Sequence, residues 1–113
     1  MKEFLVLYMA DQAQLEHIMR NSTPQQQQYV LEAWGRWMET NQASLVDEGA
    51  PLGRSKRVDL NGVSDSRNPV GGYSIVQAES VEAAARLFGR DQPHLQIPGA
   101  WVEIIECVDL PGA

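Results

Sequence analysis

Few side chains in this chain suit acid–base or nucleophilic chemistry: two histidines, His17 and His94, one cysteine, Cys107, and a scatter of carboxylates. His94 lies near Asp91, and a fold can also bring up Asp65; either would give an imidazole oriented by a carboxylate, the arrangement that proton abstraction requires. A solvated histidine in a loop after a helix is the other reading of His94. Glu103 is the third acid–base candidate. Strand alternation sets it among aromatic and aliphatic residues, where burial raises a carboxyl pKa toward acid–base use; on the rim of that face it would be solvated or paired with an arginine of a second chain. His17 falls outside the Leu15, Ile18, Met19 stripe and reads as solvated, and Cys107 has no basic neighbour in sequence and reads as a packed thiol. No HxH or HxxxH spacing is present, and no phosphate loop, serine elbow or dinucleotide fingerprint, so the sequence implies neither a metal nor another cofactor.

These groups need elements to hold them. Phe4 to Met9 is a continuous apolar run between charges, as in a strand covered on both faces. Asp11 with Gln14 can cap a short helix, and Thr23 with Gln26 forms a capping box with Pro24 at the first helical position. From there Val30, Ala33, Trp34, Trp37 and Met38 share one stripe, which predicts the main helix. Leu45-Val46 leads to Gly49-Ala50-Pro51-Leu52-Gly53, the bent end of an edge strand. Asn61-Gly62 between Val58 and Val63 predicts an inserted hairpin. Gly72 to Ala78 reads as a further strand, Ser80 caps a helix running to Phe88, and Trp101 to Val108 is the last strand.

Without the short helix and the hairpin, the order is strand, helix, strand, strand, helix, strand. That is an α+β chain of the ferredoxin-like split βαβ type (βαββαβ), a single domain over 1–113 with helices on one face of an antiparallel sheet. Side-chain alternation then predicts a helix-free face carrying Phe4, Val6, Tyr8, Tyr73, Ile75, Trp101 and Ile105. So large an apolar patch needs a cover, and a second copy packed sheet to sheet about a two-fold axis supplies it, which makes the chain a homodimer. The same topology gathers Tyr8, Gly49 to Pro51, Asp65, Arg67, Tyr73, His94 and Trp101 at one edge of the sheet. Of these, Tyr8, Tyr73, Trp101 and Arg67 are the ligand-binding candidates, an aromatic wall with a few polar groups; Tyr8, Tyr73 and Trp101 read equally as dimer-core residues.

Composition bounds the partners. With 113 residues the chain can bury a core without staples. A net charge of −6, from 9 Lys and Arg against 15 Asp and Glu, gives no electrostatic footprint for nucleic acid. Arg54, Lys56, Arg57 and Arg67 concentrate beside the hairpin, where they can attract an anion or simply protect an edge. A lone cysteine suits a reducing compartment, so the expected location is cytoplasmic. No stretch approaches the roughly 18 apolar residues that cross a bilayer, and Met1 to Ala10 lacks a cleavage site, so no membrane partner is expected.

Gly71-Gly72-Tyr73 at the opening of a strand, the helix Ser80 to Phe88, Asp91-Gln92-Pro93, the strand Trp101 to Cys107, and the turn Gly49-Ala50-Pro51-Leu52 together resemble the YCII-related proteins over most of the chain. The resemblance implies a dimeric α+β barrel with a small-molecule cleft. Many relatives carry an Asp-Gly-Pro-Phe tetrapeptide, of which Asp65 is the one plausible remnant here. Some carry a histidine on the main helix; Tyr29 to Trp37 contains none, so the His–Asp chemistry suggested for them has no counterpart. Two functions follow. One is a cofactor-independent lyase or isomerase moving protons on a small acidic or aromatic metabolite, with His94, Asp65 and Glu103 as acid–base groups. The other is a non-catalytic dimeric domain that binds a metabolite or a protein partner.

Overall fold

The apolar run near the N-terminus forms β1 (Lys2–Met9), an inner strand of a four-stranded sheet, as its two apolar faces require. The computed structural model describes residues 1–112. After β1 come α1 (Gln12–Asn21), α2 (Pro24–Thr40), β2 (Leu45–Pro51), the hairpin β3 (Ser55–Asp59) and β4 (Gly62–Ser66), β5 (Val70–Ala78), α3 (Val81–Ala85) and β6 (Trp101–Glu106). The sheet order is β2-β5-β1-β6 with every neighbouring pair antiparallel, and β3 and β4 pair only with each other. With α2 and α3 as crossovers this is the ferredoxin-like βαββαβ arrangement, carrying α1 and the hairpin as insertions. Among the described residues no helix is long and apolar enough to cross a membrane.

Local chemistry sets the element ends. Asp11 Oδ1 accepts from Ala13 N (3.0 Å) and starts α1. At α2, Thr23 Oγ1 accepts from Gln26 N (3.1 Å) while Gln26 Oε1 accepts from Thr23 N (2.8 Å), the reciprocal pair that satisfies two otherwise orphan donors. Ser80 caps α3 through Ala83 N. The apolar spacing predicts that helix to Phe88, yet it ends at Ala85; Leu87 N and Phe88 N then bond three residues back to Ala84 and Ala85, a tightened turn that packs both side chains against the core. In the hairpin, Asp59 Oδ1 accepts from Asn61 N and Gly62 adopts φ +123°, so Leu60 and Asn61 make the turn.

The edge strand β2 is bulged between Leu45 and Ala50. Gly49 sits in that irregularity at φ +76°, and a Cβ there would stand 1.6 Å from the Tyr73 carbonyl oxygen. Only glycine lets the two backbones approach so closely.

The core lies between the sheet and α2, α3. Phe4, Val6 and Val76 are fully buried, with Tyr8, Ala78 and Ala84 beside them and Trp34, Leu87, Phe88, Val102 and Ile104 around the rim. This corrects one expectation from the sequence. Phe4, Val6 and Tyr8 face the helices, and Leu5 and Leu7 occupy the helix-free side. Both faces of β1 are apolar, so hydrophobicity alone could not choose between them; the register does, because Phe4 pairs with Val76 and Val6 with Ser74. The helix-free face therefore carries Leu5, Leu7, Tyr73 and Ile75, half-buried, with Trp101, Glu103 and Ile105 alongside.

Candidate functional site

The predicted sheet edge exists. Met9 stands opposite Trp101, and Gly72 is flanked by Tyr8 on one side and Pro51 on the other, so the ends of β1 and β2 meet the starts of β5 and β6. Gly72 has no side chain to separate these backbones; a Cβ there would lie 3.3 Å from the Ala50 carbonyl oxygen.

His94 reaches this edge from a short 3-10 turn, Pro93–Gln96. Gln92 starts the turn, its Oε1 accepting from His94 N at 2.7 Å. The imidazole is buried, 7% exposed, and its Nε2 donates to the Met9 carbonyl oxygen at 2.8 Å. A carbonyl can only accept, so Nε2 carries a proton and the lone pair of the neutral ring resides on Nδ1, which has no hydrogen-bond partner among the described residues. The His94 ring packs against Tyr8 at 5.4 Å between centroids, and Tyr8 also meets Trp34 (5.1 Å) and Phe88 (6.2 Å) in edge-on contacts.

The Tyr8 hydroxyl has its own polar chain. It lies 3.0 Å from Ser74 Oγ, and Ser74 in turn donates to the Glu48 carbonyl oxygen at 2.9 Å. Because the serine proton goes to Glu48, the phenol proton goes to Ser74. Burial pushes the Tyr8 pKa up and outweighs the opposing hydrogen bond to Ser74, so Tyr8 stays protonated well into the alkaline range. Gln92 is fully buried, and its Nε2 has no partner among the described residues.

The structure brings His94 and Tyr8 to one place; Trp101 begins β6 next to them, opposite Met9, but its side chain lies on the helix-free face. It does not bring the other sequence candidates to them. Asp65 lies on β4, its side chain 91% exposed and paired with Lys56. Glu103 is across the sheet from Tyr8, on the helix-free face, where its Oε2 accepts from Trp101 Nε1 at 2.9 Å. Arg67, directly after β4, ties the base of the hairpin to α1, donating to Gln12 (3.1 Å) and Glu16 (3.4 Å). Tyr73 stands opposite Leu7 on the helix-free face. Sequence reading did not single out Ser74, Gln92 or Trp34 for this site. Gln92 had one visible signal, its place directly before Pro93 where a turn needs a cap; Ser74 looked merely small, when its hydroxyl is what the buried phenol requires. Among the described residues no three His, Cys, Asp or Glu side chains are grouped to hold a metal ion.

No protein-family model and no curated protein sequence matches this chain. Among solved structures it is similar to 5-chloro-2-hydroxyhydroquinone dehydrochlorinase from Burkholderia phenoliruptrix AC1100, in complex with 2,5-dihydroxybenzoquinone, at 17% identity over 89% of this chain and 90% of that one, with a TM-score of 0.49.

Proposed function

We propose that two copies of this chain pack through their helix-free sheet faces, and that each binds a small acidic or aromatic metabolite at the sheet edge where Tyr8 and His94 meet. His94 is the acid–base group of that site, and the chemistry within its reach is proton transfer of the lyase or isomerase kind. The observation that carries this reading is the fixed imidazole. A buried ring held by one nitrogen on a backbone carbonyl has a defined tautomer and a defined orientation, and its second nitrogen is left to take a proton. The Met9 carbonyl fills the orienting role for which the sequence offered Asp91 or Asp65.

A second reading is favoured by the other two carboxylates. Asp65 is engaged by Lys56 and Glu103 by Trp101, which leaves His94 without a carboxylate partner and suits a domain that binds its metabolite without turning it over. Thermal unfolding in the presence of benzoate and small aliphatic acids, on the wild type and on His94→Gln, tests binding. A rise in Tm that disappears in the variant supports the site; equal shifts in both proteins contradict it. Exchange of the ligand's carbon-bound protons into deuterated water, followed by NMR, then separates catalysis from binding.

A further inference from the structure

We propose a second ligand site, distinct from the His94 edge: a groove between α2 and the segment after α3 that takes a multivalent oxyanion. The groove encloses about 710 Å³, within the usual range for small-molecule sites. It is lined by three arginines from separate stretches of chain, Arg36 on α2, Arg86 at the end of α3 and Arg90 in the following turn, with Asp91 as the one carboxylate among the lining residues.

Three observations point to an anion. First, the chain is acidic overall, yet a third of its nine basic residues line this groove. Second, these guanidinium groups are not used for structure. Lys2, Lys56, Arg57 and Arg67 each have a carboxylate partner, whereas among the described residues Arg36, Arg86 and Arg90, like the scattered Arg20 and Arg54, have neither an ion pair nor a side-chain hydrogen bond. Third, the indole and amide donors of the groove are already committed. Trp37 Nε1 donates to the Leu87 carbonyl oxygen (3.2 Å), Asn41 Nδ2 to the Trp37 carbonyl oxygen (2.9 Å), and Gln96 Nε2 to the Gln92 carbonyl oxygen (3.2 Å). The uncommitted charged donors are guanidinium forks, whose planar geometry matches phosphate or carboxylate in a bidentate manner, and the Tyr29 and Thr40 hydroxyls of the lining are free to add neutral hydrogen bonds. The Trp37 ring, with its N–H turned inward, and Tyr29 add aromatic surface for an attached apolar group.

The test uses the intact protein at low ionic strength, titrated with pyrophosphate in one arm and citrate in the other, followed by calorimetry and tryptophan emission. Arg36→Gln/Arg90→Gln and, as a control from the hairpin base, Arg54→Gln are measured alongside, with unfolding curves to confirm that these exposed substitutions leave the fold intact. Saturable binding in either arm that weakens by about tenfold or more in the double variant and is unchanged in Arg54→Gln supports the site. The arm that binds more tightly identifies phosphate or carboxylate as the group recognised. No saturable binding of either anion up to about 10 mM, or equal loss in Arg54→Gln, overturns it. His94→Gln retains this binding if the two sites are separate, so a failure of the His94 reading is distinguishable from a failure here.

Discussion

The two faces of the central sheet are built from similar residues and meet different fates. On one, Phe4, Val6 and Val76 are sealed under α2 and α3. On the other, Leu5, Leu7 and Ile75 are only half covered, and Trp101 and Ile105 are 42% and 45% exposed. The first face is completed by the chain's own helices; the second is apolar surface that no helix covers among the described residues. The comparison teaches that one face of the sheet is a finished core and the other is apolar without being one, and it is this difference that the proposed pairing of two copies would remove.

Substitutions on the two faces should therefore behave differently. Phe4→Ala, which empties the sealed side, should cost about 3–5 kcal/mol in urea unfolding at any protein concentration. Gly49→Ala should cost about 1–3 kcal/mol or more, because its backbone is left-handed and the new methyl meets the Tyr73 carbonyl; a wild-type unfolding curve would refute the close approach. Ile105→Asp should leave the dilute monomer folded but weaken self-association by tenfold or more, a difference visible only as concentration rises. Tyr8→Phe should have a modest effect near neutrality and alter the alkaline limb. A phenol whose folded pKa is raised stays protonated in the fold after the unfolded chain begins to ionise at about 10, so its contribution is complete below that pH and is lost as pH rises beyond it. The wild type should lose stability above pH 10 more steeply than Tyr8→Phe, and parallel curves would count against the buried phenol. Asp65→Asn should change stability by less than about 0.5 kcal/mol, since its ion pair with Lys56 is surface-exposed.

Much of this was legible in the sequence, for identifiable reasons. Capping residues are local, so Asp11, Thr23 with Gln26, and Ser80 marked their helix starts directly. The Asn61-Gly62 signal located the hairpin, and the element order gave the fold. What could not be read was which side of β1 faces inward, because Phe4-Leu5-Val6-Leu7 is apolar on both sides and only pairing with Ser74 and Val76 decides. The site was half readable. His94 and Tyr8 could be placed at one edge from topology, but the acceptor that fixes the imidazole is a backbone carbonyl, invisible to any reading of residue types. The arginine groove was hidden for a similar reason: Arg36 and Arg90 are 54 positions apart, while the cluster that stands out in sequence, around Arg54 to Arg67, is largely engaged in ion pairs.

Sedimentation equilibrium of the wild type and Ile105→Asp across the micromolar range tests the central claim most directly. A wild-type dimer that the substitution converts to a folded monomer is the expected result. A wild type that sediments as a monomer throughout, or a dimer indifferent to Ile105→Asp, would contradict the account of the uncovered face.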